Sequence, residues 1–221
     1  MTRESFTGAI KELEHDVTAM GEMVAAATRR AVAALQSRAV DDARKIIAED
    51  KLINRKRWDI EEKCIHLIAR QQPVASDLRE IIAVLNIITD LERMGDHAEG
   101  IAKIVVTLGG EPPVQPLADI PRMSEKATDM LQRSLQAFVR RDAAAAQAIC
   151  NQDDDVDKLY ERVYRELLTC MIQDPTTISR ATCLIWAAHN LERIADRVTN
   201  ICERTVFLVV GTMQEVNVST Y

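Results

Sequence analysis

The chain has 221 residues, 47% of them hydrophobic and 28% charged, with a formal net charge of −6. That is enough apolar material for one large core or two smaller ones, and the negative balance excludes nucleic-acid binding driven by bulk charge. Aromatic residues make up 4%, with only 7 Gly and 6 Pro, so turns are few, and long helices fit better than a β-sandwich.

In chain order, Met1 to Glu14 is polar and amphipathic and does not read as a signal peptide. Ile10, Leu13, Val17, Met20, Val24, Ala27, Ala31 and Ala34 alternate in steps of three and four, which predicts a first helix over about 3–36. Ser37 is read as a break and cap. A second periodic run, Ala43, Ile46, Ile53, Ile60, Cys64 and Leu67, ends before Pro73. The third helix opens near Ser76–Asp77, with Asp77 and Glu80 in its first turn, and stops at Gly109–Gly110. Its stretch from Ile81 to Leu91 is apolar on most faces, which makes it central to a bundle, yet Asn86 and Asp90 interrupt it and it is too short to span a bilayer. Glu111 to Pro116 carries three prolines and reads as a linker. The division expected is 1–109, a linker at 110–116, and 117–221. Beyond it Met123, Met130, Leu131, Leu135 and Phe138 predict a fourth helix. Asp142 caps a fifth that runs to about Gln173. Asp174–Pro175 opens the sixth, with Leu184, Leu191 and Val198 on its stripe. The fold class is all-α.

The two halves are related. Asp90 to Ile101 reads DLERMGDHAEGI and Asn190 to Ile201 reads NLERIADRVTNI, identical at five of twelve positions at an offset of 100. Upstream, Asp50, Ile53 and Asn54 align with Asp153, Val156 and Asp157 at an offset of 103, and so do Met20 with Met123 and Leu35 with Phe138. The pattern is a duplicated three-helix unit, that is, two tandem, sequence-related bundles.

Glu92 and Asp96, and again Glu192 and Asp196, stand four residues apart on a helix and therefore share a face, about 5–6 Å apart at Cβ. Paired carboxylates repel and call for a cation or an arginine. Asp50 with Asn54 and Asp153 with Asp157 repeat the spacing on the preceding helices. Antiparallel packing would bring four oxygen side chains together in each half, a set suited to Mg²⁺, Mn²⁺, iron or, less ideally, Zn²⁺. Glu99 and Glu203 lie near the same faces. The plainer reading is that Arg93 and Arg193 neutralise these pairs as ordinary ion pairs, but recurrence of Leu-Glu-Arg-x-x-Asp at matching places favours a site.

Other chemistry lacks a motif. His15, His66, His97 and His189 share no spacing. Asp96 is followed by His97 but Asp196 by Arg197, so a ferritin-like di-iron pattern fails. No glycine-rich phosphate loop is present and no Ser-His-Asp pattern is recognisable. Cys64, Cys150, Cys170, Cys183 and Cys202 form no CxxC pair and read as reduced core cysteines. Trp58 and Trp186 read as core or helix-interface anchors.

The repeated LERMGD and LERIAD strings, the RQQPVASDLR turn at 70–79, and the segments around Asp50 and Asp153 resemble the PhoU family of phosphate-transport accessory regulators. The resemblance covers about 7–211. It implies two similar three-helix bundles and metal ions (iron, zinc, manganese or magnesium) held at Glu92, Asp96, Glu192 and Asp196, with Asp50, Asn54, Asp153 and Asp157 from the preceding helices. It further implies a non-enzymatic, cytoplasmic negative regulator, often dimeric. Such a protein acts with the ATPase of a phosphate ABC transporter and with a sensor histidine kinase. Asn54 departs from the acidic pattern and implies a weaker first site; Ala195 stands where the first half has Gly95. Two rival readings come from the residues alone: a metalloenzyme with a multinuclear carboxylate cluster, or a purely structural helical scaffold.

Overall fold

The computed structural model describes residues 3–111, 114 and 118–212, and all regular structure among them is helical. The helices are α1 (Arg3–Ser37), α2 (Val40–Gln71), α3 (Ser76–Leu108), α4 (Asp119–Arg140), α5 (Ala143–Cys150), α6 (Asp153–Gln173) and α7 (Ile178–Val210), with one 3₁₀ turn, Pro175–Thr177, before α7. The first bundle is α1–α3. In the second, α5 and α6 together replace a single second helix. Most of the proline-rich segment at 111–116 lies outside the described residues; Glu111 and the buried Val114 are described.

The helix ends follow local chemistry. Asp41 and Asp42 lie in the first turn of α2 and Arg70 in its last, each complementing the helix dipole. Ser37 does not cap α2: its hydroxyl donates to the Ala33 carbonyl, and the chain turns through Arg38 at φ 56°. Asp142 caps α5 by accepting the Ala145 N–H at 2.9 Å, and Asp174 accepts the Thr176 N–H ahead of α7.

The expected fifth helix is interrupted. At Asn151–Gln152 the Gln152 N–H donates to Ile149 (2.9 Å) and the Asp155 N–H to Gln152 (3.1 Å), so three-residue bonds replace the four-residue ladder. Asp153, Asp154 and Asp155 then occupy the first turn of α6, where the helix dipole favours negative charge. The acidic run that periodicity treats as mid-helix is a helix start.

Two helices organise the core. α3 packs on α1 and α2, α7 on α4, α5 and α6, and α3 and α7 pack on each other. Ile81, Ile87, Leu91, Met94 and Ile101 on α3, and Leu191, Ile194, Val198 and Ile201 on α7, are fully buried; each such side chain contributes about 1.5–3 kcal/mol. Among the described residues, no helix is long and apolar enough to cross a membrane.

The α3–α7 contact is reciprocal. Asp90 on α3 accepts from Arg197 (3.1 Å) and Asn200 (3.0 Å) on α7. Asn190, the counterpart of Asp90, lies 2.9 Å from His97 on α3 and against Gly100. The residues 90, 97 and 100 thus exchange partners with 190, 197 and 200, so the duplicated units meet about an approximate two-fold. A Cβ on Gly100 would stand 3.1 Å from the Asn190 amide oxygen, so the absent side chain permits the approach.

Both tryptophans are exposed, Trp58 at 62% and Trp186 at 63%. They anchor neither the core nor an interface within the chain. Periodic apolar patterning marks a helix face without fixing which side of it a large ring occupies.

Candidate functional site

The second half gathers its acidic residues most completely. Asp153, at the start of α6, is 5% exposed, and its Oδ1 is buried with no hydrogen-bond partner. Burial, followed by the charges of Asp157, Asp196 and Glu192, pushes its carboxyl up to about 7. Glu192 on α7 is also pushed up to about 7 by burial, against the pull of Arg193 and with further push from Asp157 and Asp196. Asp157, at the exposed rim, is raised by partial burial of its carboxyl, then by Asp154 and Asp196. The mutual effect of these charges sets Asp153 and Asp157 on α6 beside Glu192 and Asp196 on α7. All four residues expected in this half share one seam.

The arginine beside them offsets only part of this charge. Arg193 lies 3.1 Å from Asp196 but 3.9 Å from Glu192. Glu192 Oε2 is buried and accepts no hydrogen bond; His189 Nδ1 stands 3.2 Å away without the alignment of one. Burial and the nearby Arg193 lower the His189 pKa, which keeps the imidazole neutral. Two buried carboxylate oxygens from facing helices therefore lack hydrogen-bond partners, and Arg193 supplies only part of the opposing charge.

The first half resolves the same problem internally. Asn54 donates to Asp50 Oδ2 at 2.7 Å. Asp50 is raised by burial, then by Glu99 and Asp96, while Asn54 and Lys103 oppose the shift. Asp50, Asn54 and Asp96 therefore come together, and Glu99 joins them. Glu92 instead meets Arg93 on its own helix at 3.6 Å, and Asp96 also meets Arg93 at 3.6 Å. A cavity of 230 Å³ opens beside Asp50, lined by Met23, Ile46, Ile53, Gly95 and Glu99 among others. A Cβ on Gly95 would lie 3.2 Å from Ile53 and 3.4 Å from Asp50 Oδ1.

Among the described residues, no group of three or more His, Cys, Asp or Glu is placed to hold a metal ion.

Several charged contacts escape the periodic reading. Asp16 is 8% exposed and pairs with Lys56 (2.6 Å) and Lys63 (2.7 Å). Asp119, its counterpart at an offset of 103, is 7% exposed and pairs with Arg162 (2.7 Å) and Arg122 (3.0 Å). The repeat itself could have identified this pair. Glu80, placed by sequence as an ordinary first-turn acid, is 4% exposed and both its carboxylate oxygens accept from the one Arg141 Nη2, at 2.8 and 2.7 Å. No local signal marks that contact, because its partners are 61 residues apart. The five cysteines form no disulfide; Cys64, Cys150 and Cys202 are buried and Cys170 and Cys183 half-buried.

Comparisons with known proteins match both halves. The PhoU domain model covers residues 17–105 and again 120–205. A phosphate-specific transport system accessory protein PhoU homolog of Clostridium acetobutylicum is 40% identical over 98% of this chain and 100% of its own length. A homolog so named in Aquifex aeolicus is 39% identical over 83% of each chain. The crystal structure of PhoU from Pseudomonas aeruginosa superposes with a TM-score of 0.87 at 37% identity, over 94% of this chain and 100% of that one. The phosphate transport system regulatory protein PhoU of Streptococcus pneumoniae superposes at 0.88 with 33% identity, over 95% and 99%.

Proposed function

The chain belongs to the PhoU family, and on that premise we propose that it regulates phosphate uptake and phosphate-starvation signalling as a non-enzymatic adaptor. In this reading it is cytoplasmic and dimeric, and it restrains the starvation response when phosphate is plentiful. It does so by linking the ATPase of a phosphate ABC transporter to a sensor histidine kinase. The observation that carries the reading is similarity along almost the whole chain to proteins named as phosphate-transport accessory and regulatory proteins. Deletion of the gene should release phosphate-starvation genes in high-phosphate medium; unchanged repression in the deletion strain would remove the proposal.

The acidic seams fit this role as regulatory or structural ion sites. Asp153, Asp157, Glu192 and Asp196 would hold iron, zinc, manganese or magnesium in the second half, and Asp50, Asn54, Asp96 and Glu92 would hold one more weakly in the first. A bound ion supplies the positive charge that the orphaned oxygens of Asp153 and Glu192 lack. Because those residues lie on α6 and α7, occupancy would tie the two helices together and stiffen the face the second bundle offers to a partner.

A further inference from the structure

The places where α3 and α7 leave their bundles are built alike. α3 closes at Gly109, whose N–H donates to the Val105 carbonyl (3.1 Å), and α7 at Gly211, whose N–H donates to the Phe207 carbonyl (2.8 Å). The turns that end α1 and α4 repeat as well, with Arg38 at φ 56° and Arg141 at φ 54°. Past Gly109 the chain returns over its own exit: Val114, five residues on, is buried among Leu35, Gln36, Arg38, Leu108 and Arg180. The counterparts of those five are Phe138, Val139, Arg141, Val210 and Glu80, and the fifth residue past Gly211 is again a valine, Val216. We propose that the segment from Met213 to Val218 is a strap that folds back over the C-terminal ends of α4 and α7, seating Val216 between Val139 and Val210 as Val114 is seated at the other exit.

Three observations support the assignment, and none involves the acidic seams. The first is the apolar surface at the second exit. Val139 is 41% exposed and Val210 53%, and Val139 stands where the first half has the polar Gln36; covering two valines removes apolar area from water. The second is how charge is arranged at each exit. At the first, Arg38 and Arg180 are both cationic, and the returning chain supplies Glu111, 3.6 Å from Arg180. At the second, Glu80 replaces Arg180 and already binds Arg141, so no acid is required there. The residue at the position of Glu111, two past the closing glycine, is accordingly the apolar Met213. The third is Arg79 on α3. A Cβ on Gly211 would stand 3.6 Å from its guanidinium carbon, and its buried Nε has no hydrogen-bond partner among the described residues. Glu215 follows Gly211 by four residues, a reach of about 13–14 Å of extended chain, and brings the opposite charge to that arginine. Closed, the strap covers an apolar patch; open, it presents that patch to a partner.

Hydrogen exchange read by mass spectrometry on the full chain tests this, comparing the parent with Val216→Asp and with Asn217→Asp as the control. Val216→Asp should speed exchange of the amides in 137–141 and 207–211 by about ten-fold, and Asn217→Asp should stay within about two-fold of the parent. Amides in 35–38, at the opposite exit, should not change. Equal exchange in the parent and Val216→Asp overturns the strap, and so does a rise at both exits alike, which is global opening. Protection of 137–141 and 207–211 that grows with protein concentration in the parent also overturns it, because a second copy of the chain would then be the cover.

Discussion

The two halves of the molecule descend from one unit and place the same acidic positions on the same helix faces, yet they treat the buried carboxylate in opposite ways. In the first half α2 runs unbroken through Asp50, and the amide of Asn54, one turn on, bonds to it at 2.7 Å. In the second half the helix breaks two residues before Asp153, and position 157 is an aspartate that repels it. The amide at position 54 gives Asp50 a hydrogen bond, whereas the carboxylate at position 157 sets like charge beside Asp153. A duplicated scaffold thus keeps an acidic position while changing what surrounds it.

The contrast can be tested from its largest expected effect downward. Without metal, the carboxyls of Asp153 and Glu192 titrate near 7 in the folded chain, against 3.8 and 4.5 in the unfolded one. The stability linked to these raised values is full below about pH 4 and lost as pH rises to about 7. Metal-free protein should therefore melt lower at pH 8 than at pH 5, by an amount on the order of 3 kcal/mol or about 6–12 °C. Added Zn²⁺ should recover much of the loss at pH 8. Scanning calorimetry of chelator-treated protein at the two pH values measures this; a flat profile would contradict the account of the second seam.

Arg141→Ala removes the second half's hold on Glu80, whose counterpart at an offset of 100 is Arg180 rather than an acid. It strands a buried carboxylate, and urea unfolding should show a loss of about 2 kcal/mol, less than a fully buried pair because Arg141 is half-exposed. Asn54→Asp gives the first seam the charge of the second. The metal-free protein should lose about 1 kcal/mol, as Asp50 gives up its amide donor and gains a like charge, and first-half metal affinity should rise in calorimetric titration. Trp58→Ala and Trp186→Ala should each change stability by no more than about 0.5 kcal/mol, because both rings are largely solvent-exposed; a larger loss would show that one of them packs against a second copy of the chain.

Much of this was legible in the residues. The three- and four-residue spacing of apolar positions located α1 to α4 and α7, because each helix buries one continuous stripe. The offset repeat identified which carboxylates face one another, and in the second half all four do. What escaped has a common physical cause. The break at Asn151–Gln152 involves no proline or glycine, and the acidic run that opens the next helix reads equally as a solvated charge run in mid-helix. The partnership of Glu80 with Arg141 joins residues distant in sequence. Glu92 keeps company with Arg93 rather than Asp50, because rotamer choice along an open seam is not encoded in spacing. Trp58 and Trp186 are exposed because hydrophobicity alone does not fix burial, and a large ring on the edge of a helix stripe can remain in solvent.

The most direct measurement is the metal content of purified chain after loading and removal of excess ion, compared for the parent, Asp153→Asn with Glu192→Gln, and Asp50→Asn with Asp96→Asn. The second-half double variant should lose the most tightly held ion, while the first-half double variant retains it. Retention of that ion by Asp153→Asn with Glu192→Gln, or equal loss in both variants, would contradict the division of labour between the two seams.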